Sequence, residues 1–422
     1  MKRIHTFRSV IRVAFFLGIR QIRRANPWTT VLIIFIMALT FLNLVVVSGI
    51  LVGLIEGSES AYKEKYSGEI FITKPQTKDF IENSPALLSV LENLPEVKAY
   101  SPRILSGGNI EANYHNRLIN VAPNSVSAGL SGIDPILEDK TTGLSEGIVR
   151  GIYLDPLDND GVLVGSNLLE QYSVVPGDII SLLKNTDIGS KILITIGGSS
   201  KEYTVRGILN LKVDDITLRV FMNKSELRLL SGGQNANVSQ IAVRLKNPTE
   251  TSALFVKNVL LGNGFGDTAN IKTWIEAQPK FLKDIKVTFA ILGNAISSIG
   301  LVVAAITLFI VIFINAITRR RYIGILKGIG IDEFAIELSY VIQSFFYAVI
   351  GTTIGLIAVY GFLVPSFLAH PIDFPFSDGI LVAPIGPTFF KVGLLVLTTI
   401  IAGYIPAKMI VRRNTLEAIL GK

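Results

Sequence analysis

Three aspartates, Asp155, Asp158 and Asp160, run into Gly161, and carboxylates at short alternate spacing before a glycine are what a calcium loop requires. The D-x-[DN]-x-[DN]-G template places its first ligand where Pro156 stands, so the segment reads as a solvated acidic turn. Gly262-Asn263-Gly264-Phe265-Gly266-Asp267 is rich enough in glycine to suggest a phosphate cradle. It fits neither G-x-G-x-x-G nor a strand-to-helix junction, and it reads as a plain loop. His5, His115 and His370 fall in three separate regions, none with acids at ligand spacing; His370 and nearby Asp373 do not make a metal set. There is no G-x-x-x-x-G-K-[ST] phosphate loop and no G-x-S-x-G nucleophile. There is no cysteine, which removes thiol nucleophiles, disulfides and zinc–thiolate sites. No catalytic, cofactor-binding or metal-binding residue is assigned, and an enzyme acting alone is not supported.

The apolar residues instead lie in long blocks. Mean hydropathy is +0.49 and 17% of residues are charged, against about 25% in soluble domains. Trp28–Ile55, Val287–Thr318 and Leu338–Ala369 carry no charge, the last broken near its end by Pro365. Pro387–Ala407 contains only Lys391, close enough to one end to snorkel. A bilayer core needs ~20 apolar helical residues, so the expectation is four spans, at 29–55, 286–318, 337–364 and 386–407. The first is too long for a cleaved signal peptide and ends Gly53-Leu54-Ile55-Glu56, as an uncleaved anchor would.

Basic residues set the orientation. Lys2, Arg3, Arg8, Arg12, Arg20, Arg23 and Arg24 precede the first span; Arg319, Arg320, Arg321 and Lys327 follow the second; Lys408, Arg412, Arg413 and Lys422 follow the fourth. The loop at 365–385 has Asp373 and Asp378 and no base. Both termini and the loop at 319–336 are therefore expected in the cytoplasm, with 56–285 outside. The net charge of +7 is then topological rather than a nucleic-acid surface. Residues 1–28 are either an interfacial amphipathic helix, with the arginines on one face and Phe7, Val10, Ile11, Ala14, Gly18 and Ile22 on the other, or only a basic flank. The tail is 408–422.

Region 56–285 is long enough for its own core. Glu56–Lys65 continues the first span as a polar helix. Strands are expected at Glu69–Thr73, Ile104–Leu105, Arg117–Val121, Gly161–Val164, Asp178–Leu183, Lys191–Ile196, Glu202–Leu209, Leu218–Met222 and Gln240–Leu245. Helices are expected at Ala86–Asn93, 166–172, 224–230 and 249–261, with Trp274–Asp284 feeding the second span. The fold class is thus a four-helix membrane protein with a large extracytoplasmic α+β domain between helices 1 and 2, joined to them by helical stalks. Within the spans, Asn43, Asn294, Asn315 and Gln343 read as helix-to-helix hydrogen bonds, and Gly351 and Gly355 as a small-xxx-small pair for close packing within the chain or across a dimer.

The stretch Arg319-Arg320-Arg321-Tyr322-Ile323-Gly324-Ile325-Leu326-Lys327-Gly328-Ile329-Gly330 resembles the R-x-R-E-I-G-I-L-K-A-I-G signature of the FtsX-like, MacB-type ABC transporter permeases. Ala402–Lys408 with Leu416–Leu420 is similar to that family's closing segment, and Gly161–Ser166, Val175–Asp178, Tyr203–Ile208 and Val220–Met222 follow the order of its extracytoplasmic domain. Tyr322 stands in place of a glutamate, and Asn414-Thr415 in place of Asp-Pro, though Asn414 and Glu417 make a capping-box pattern. The resemblance implies a permease subunit of the bacterial inner (plasma) membrane. It implies a dimer with a second permease copy, homo- or heteromeric, and a separate ABC ATPase that binds ATP and Mg. A periplasmic adaptor or carrier is allowed but not required. It further implies that Arg319, Arg320, Arg321, Tyr322, Gly324, Leu326, Lys327, Gly328, Gly330, Asp332 and Glu333 form the ATPase-coupling element. The residue types suit this: Arg320, Arg321 and Lys327 can offer charge-assisted contacts to acidic groups, and Asp332 can cap the helix beginning at Glu333. Substrates of such permeases are lipoproteins, peptides or amphipathic drugs. The alternative is a mechanotransmitter that moves nothing and regulates an outer partner.

Overall fold

A computed structural model describes residues 2–116, 122–173, 181–233, 235–374 and 377–412. The expectations on Arg117–Val121, Val175–Asp178, the start of Asp178–Leu183, and Arg413 to Lys422 with its capping-box pattern lie wholly or largely outside them. The chain divides into two units: Met1–Ile55 with Asp284–Ile372 and Gly379–Lys422, and Glu56–Lys283 with Asp373–Asp378.

The first unit is helical. Among the described residues, four helical stretches are long and apolar enough to cross a membrane: Pro27–Ser67, Lys280–Thr318, Glu333–Ala369 and Ile385–Val411. The first starts cleanly, because Asn26 accepts from the Trp28 amide and Pro27 occupies a position with no amide to satisfy. Asn43–Val47 of this span is π-helical, as is Val359–Leu363 of the third. The third span therefore passes through Pro365 without stopping, since the wider π-turn absorbs the missing amide. Helix Lys2–Arg23 buries Ala14, Leu17, Gly18 and Gln21, a one-sided stripe at helical spacing. Ile342 packs over Gly18, and Gln21 Nε2 donates to Ser339 Oγ at 3.3 Å, so this helix docks on the third span.

The second unit is built on one ten-stranded sheet: β1 (Ile70–Thr73), β2 (Val97–Ala112), β3 (Ser125–Ile133), β4 (Ile148–Gly151), β5 (Gly161–Gly165), β6 (Lys191–Ile196), β7 (Ser199–Leu209), β8 (Arg219–Asn223), β9 (Gln240–Leu245) and β10 (Asn270–Thr273). The order is β10-β1-β9-β2-β3-β8-β5-β7-β4, with β6 bridging β2 and β7. Only β3–β8 and β5–β7 pair in parallel among the described strands. Strand periodicity decides which residue enters which core. Ile70 and Ile72, Val162 and Val164, Val220 and Met222, and Ile241 and Val243 point into one core. Phe71, Leu163, Phe221 and Ala242, each between them, point into the other. Helices Ser84–Asn93, Lys224–Leu230 and Glu250–Gly262 cover the first face through Leu87, Leu91, Leu227, Val256 and Leu260; Tyr62 and Tyr66 help to cover the second.

A charged cluster is buried on that second face. Arg103 is held by Glu138 at 2.6 and 2.8 Å and donates to the Tyr66 carbonyl at 2.8 Å, with its guanidinium 4.6 Å from the Tyr66 ring centre. Ser101 and Thr142 hydroxyls also donate to Glu138, at 2.6 and 2.8 Å. Burial alone pushes the Glu138 carboxyl up, but the Arg103 charge and these donors outweigh it and hold the group below its ordinary value.

Several elements differ from expectation. The strand expected at Ile104–Leu105 is sixteen residues long. β3, β4, β10 and helix Pro135–Thr142 were not foreseen. At 166–172 there is one 3-10 turn, Ser166–Leu168, because Leu169 turns extended and bridges Leu183. Trp274–Asp284 is not one helix: Trp274–Ala277 ends before Pro279, which drives Gln278 to an extended ψ of 133°, and the long helix starts afresh at Lys280. The loop at 365–385 contains a two-stranded ribbon, Ile372–Phe374 with Ser377–Gly379.

Candidate coupling site

The second span ends at Thr318, and Arg319 leaves helical geometry. A nine-residue helix, Arg320–Gly328, follows at once. Its sequence is two-faced. Ile323 and Leu326 are buried and join the core formed with Ala316, Ile336, Tyr340, Ala407 and Val411, and Gly324 is buried beside them. Arg321, Tyr322 and Ile325 face outward, and Gly328, Ile329 and Gly330 continue that exposed surface; Ile325 is 49% and Ile329 70% exposed.

The reversal after this helix needs one glycine. Gly330 has φ +87°, a conformation side chains resist. Its amide bonds the Lys327 carbonyl at 3.0 Å, and the Ile331 amide bonds that of Leu326 at 3.1 Å, which closes the helix end. Asp332 then starts the third span, its Oδ1 accepting from the Phe334 amide at 2.8 Å.

The charged residues part company. Lys327 Nζ is 2.7 Å from Glu333 Oε1 and donates to the Val411 carbonyl at 2.9 Å, with its side chain 9% exposed. The turn folds Lys327 back onto its own chain, where the acidic group it meets is Glu333. Arg319 reaches the Arg24 carbonyl at 3.4 Å. With Leu17, Arg20, Gln21, Arg24 and Tyr322 it lines a cavity of about 350 Å³. The contribution of Arg20, Gln21 and Arg24 was missed; their i, i+1 and i+4 spacing beside a basic flank was the available signal. Arg321 is the exposed cation of the outward face, flanked by Tyr322 and Ile325. Such a surface, apolar with a cationic edge on a rigid short helix, is suited to docking another protein.

Gly351 and Gly355 lie elsewhere, in the middle of the third span. A side chain on Gly351 would strike Met37 and come within 3.1 Å of the Ile34 carbonyl and the Ala38 amide; one on Gly355 would strike the Phe41 ring. Both permit close approach to the first span of the same chain. Gln343, expected to bond a neighbouring helix, donates to Tyr347 of its own helix at 2.7 Å. In the acidic turn, Asp158 Oδ2 is bonded by Arg206 Nε at 2.7 Å, and Asp155 and Asp158 also accept amides of Leu157 and Asp160.

Residues 294–415 match the family model described as FtsX-like permease C-terminal. An uncharacterized ABC transporter permease of Methanocaldococcus jannaschii is 24% identical over 285 residues, which is 65% of this chain and 66% of that protein. The ABC transporter permease YtrF of Bacillus subtilis is 23% identical over 197 residues, 44% of this chain and 43% of that one. The chain thus spans just under two thirds of the first relative and less than half of the second. Among solved structures, the periplasmic region of MacB from Actinobacillus actinomycetemcomitans is similar at 16% identity, with 50% of this chain and 93% of that one covered and a TM-score of 0.35. The extracellular domain of the noncanonical ABC-type transporter YknZ from Gram-positive bacteria gives 12%, 48%, 99% and 0.31 for the same quantities. The architecture is that of a helical membrane protein, with four candidate spans and a large β-rich domain between the first two in sequence. Residues 294–415 thus match the FtsX-like permease C-terminal family, and the chain is similar to ABC transporter permeases.

Proposed function

We propose that this chain is the non-catalytic membrane subunit of an ABC transporter, and that Arg320–Gly328 and the turn to Asp332 receive the motion of a separate ATPase. The observation that carries this reading is the two-faced helix: Ile323 and Leu326 are locked into the span core while Arg321, Tyr322, Ile325 and Ile329 stand exposed beside it. A push on the outward face is thereby delivered to the spans rather than absorbed by a loose loop. The basic flanks support a topology with this helix and both termini in the cytoplasm and residues 56–283 outside. In this reading ATP and Mg bind the partner, two permease copies assemble, and the outer domain moves or extracts an amphipathic substrate such as a lipoprotein, peptide or drug. The membrane is the bacterial inner (plasma) membrane.

The test is affinity purification of the full chain from detergent and an ATPase assay of what accompanies it, for the wild type and for Arg321→Glu/Ile325→Glu. An ATPase subunit that accompanies the wild type and is lost with the variant, at unchanged melting temperature, supports docking at this helix. The same ATPase yield from both proteins removes this helix from the interface, and no ATPase under any condition removes the transporter reading.

A further inference from the structure

A cation is held inside the membrane unit with no carboxylate to balance it among the described residues. Lys391 lies six residues into the fourth span, Ile385–Val411, or ~9 Å along the helix. Its ammonium donates to Ser48 Oγ of the first span, and Ser48 Oγ bonds the Leu44 carbonyl at 2.9 Å. That is its whole set of partners among the described residues. Two features say that the lysine is not there for the helix. A cation near a helix N-terminus opposes the helix dipole. A charged group within a span is costly unless it is paired and marks a site by default. Snorkelling to the headgroups is the ordinary escape, yet Lys391 is tethered sideways to Ser48.

The tether sits where the first span is irregular. Asn43–Val47 is π-helical immediately before Ser48, and such bulges recur at functional sites. Beside it is a cavity of about 560 Å³, walled by the first, second and fourth spans, at the end of the bundle opposite the arginine-rich flanks. Lys391 and Asn294 line it, together with Ser297, whose hydroxyl is buried without a partner. Gly386, in the first turn of the fourth span, also lines it, and the space over its α-carbon is open. First-turn amides and the helix dipole favour an anion at that point. Leu44, Leu301, Phe390 and Leu394 supply the apolar part of the wall.

We propose that this cavity binds an anionic phospholipid of the leaflet opposite the arginine-rich flanks, its phosphate on Lys391 and Ser297 and an acyl chain along Leu44, Phe390 and Leu394. The apolar part of the wall favours a ligand that carries an acyl chain over a free anion, and the unbalanced lysine selects against a zwitterionic headgroup. The site requires only that these helices span a bilayer and stands whether or not an ATPase docks on the Arg320–Gly328 helix.

Native mass spectrometry of the full chain in detergent tests it, with phosphatidylglycerol and phosphatidylcholine of identical acyl chains as probes and inorganic phosphate as competitor. Wild type should retain phosphatidylglycerol about five-fold over phosphatidylcholine, the preference expected of one added cation. Lys391→Gln should abolish the preference and Lys391→Arg should keep it. Ser298→Trp, which fills the cavity without touching the charge, should lower retention of both lipids, with gel-filtration elution unchanged in every variant. A preference that survives Lys391→Gln overturns the proposal, and so does displacement of the lipid by millimolar inorganic phosphate.

Discussion

Lys327 Nζ lies 2.7 Å from Glu333 Oε1 and 2.9 Å from the Val411 carbonyl, so one side chain ties the short helix, the start of the third span and the end of the fourth. Lys327→Met removes the donor to Val411 and the partner of Glu333 while keeping the stem's length. We expect a loss of about 1–3 kcal/mol, the cost of leaving a largely buried polar group unpaired. Glu333→Gln should cost less than about 1 kcal/mol, since Glu333 is half exposed and its pair is screened. Thermal unfolding of the full chain in detergent ranks the two. Equal effects would mean that Lys327 acts through Glu333 alone.

Gly351 and Gly355 set the distance between the third and first spans. Gly351→Leu drives a side chain into Met37 and the first-span backbone, and Gly355→Leu into Phe41. Overpacking of this kind costs about 1–3 kcal/mol or more. Because both glycines face their own chain, the damage should appear as lowered melting temperature and expression at any protein concentration. A concentration-dependent loss, with the isolated protomer as stable as wild type, would instead place these glycines at a subunit contact.

How far the sequence reveals this depended on the kind of signal. The spans were legible because four charge-free blocks leave few other readings, and a boundary moved only where a helix ran on past the apolar residues, as at Lys280. β5, β6 and β9 are dense in β-branched residues and stand where the pattern puts them. β2 was cut short because Pro102, Gly107 and Gly108 read as breakers, whereas Pro102 lies opposite Ile241 in a ladder that continues past it. β3, Ser125–Ile133, is mostly serine, glycine and alanine, and only its neighbours β2 and β8 make it a strand. Helix Pro135–Thr142 has a readable local signature: Asp134 as cap, Pro135 in the first turn and Gly143 left-handed at the end. In the candidate coupling site, residue types were legible but directions were not. Nothing local says that Lys327 turns inward while Arg321 stays out, because that depends on where Val411 lies.

The Arg103–Glu138 pair illustrates the same limit, since thirty-five residues separate its members. It also makes a sharp prediction. Glu138→Gln leaves a buried guanidinium uncompensated and should destabilise by about 3–5 kcal/mol, while Arg103→Met/Glu138→Leu should recover much of the loss. The pair also predicts a pH response. The Glu138 carboxyl is held below its ordinary 4.5 in the folded chain. Its contribution is therefore complete above that value and is lost as pH falls through the lower folded pKa. Melting temperature in detergent, followed from pH 7 to acid, should fall more steeply below about 4.5 in wild type than in Arg103→Met/Glu138→Leu. Parallel curves would show that the pair carries no pH-linked stability.

The acidic turn at Asp155–Gly161 yields the last prediction, on metal. Arg206 donates to Asp158 at 2.7 Å and, with the amides of Asp160 and Gly161, holds that carboxyl below its usual range. Lys201 stands 3.1 Å from Asp160. An Asp155 oxygen accepts the Leu157 amide. A calcium ion here would have to displace two cations and would find Pro156 where its first ligand is needed. Millimolar calcium should therefore leave the melting temperature of the wild type unchanged. Arg206→Ala frees Asp158 and removes one opposing cation. If the turn is acidic by composition but cationic by neighbourhood, this variant should be less stable than wild type and should regain part of the loss on calcium addition. Calcium that stabilises the wild type as strongly as the variant would show instead that Arg206 yields to the ion, and that the turn is a metal site despite its spacing.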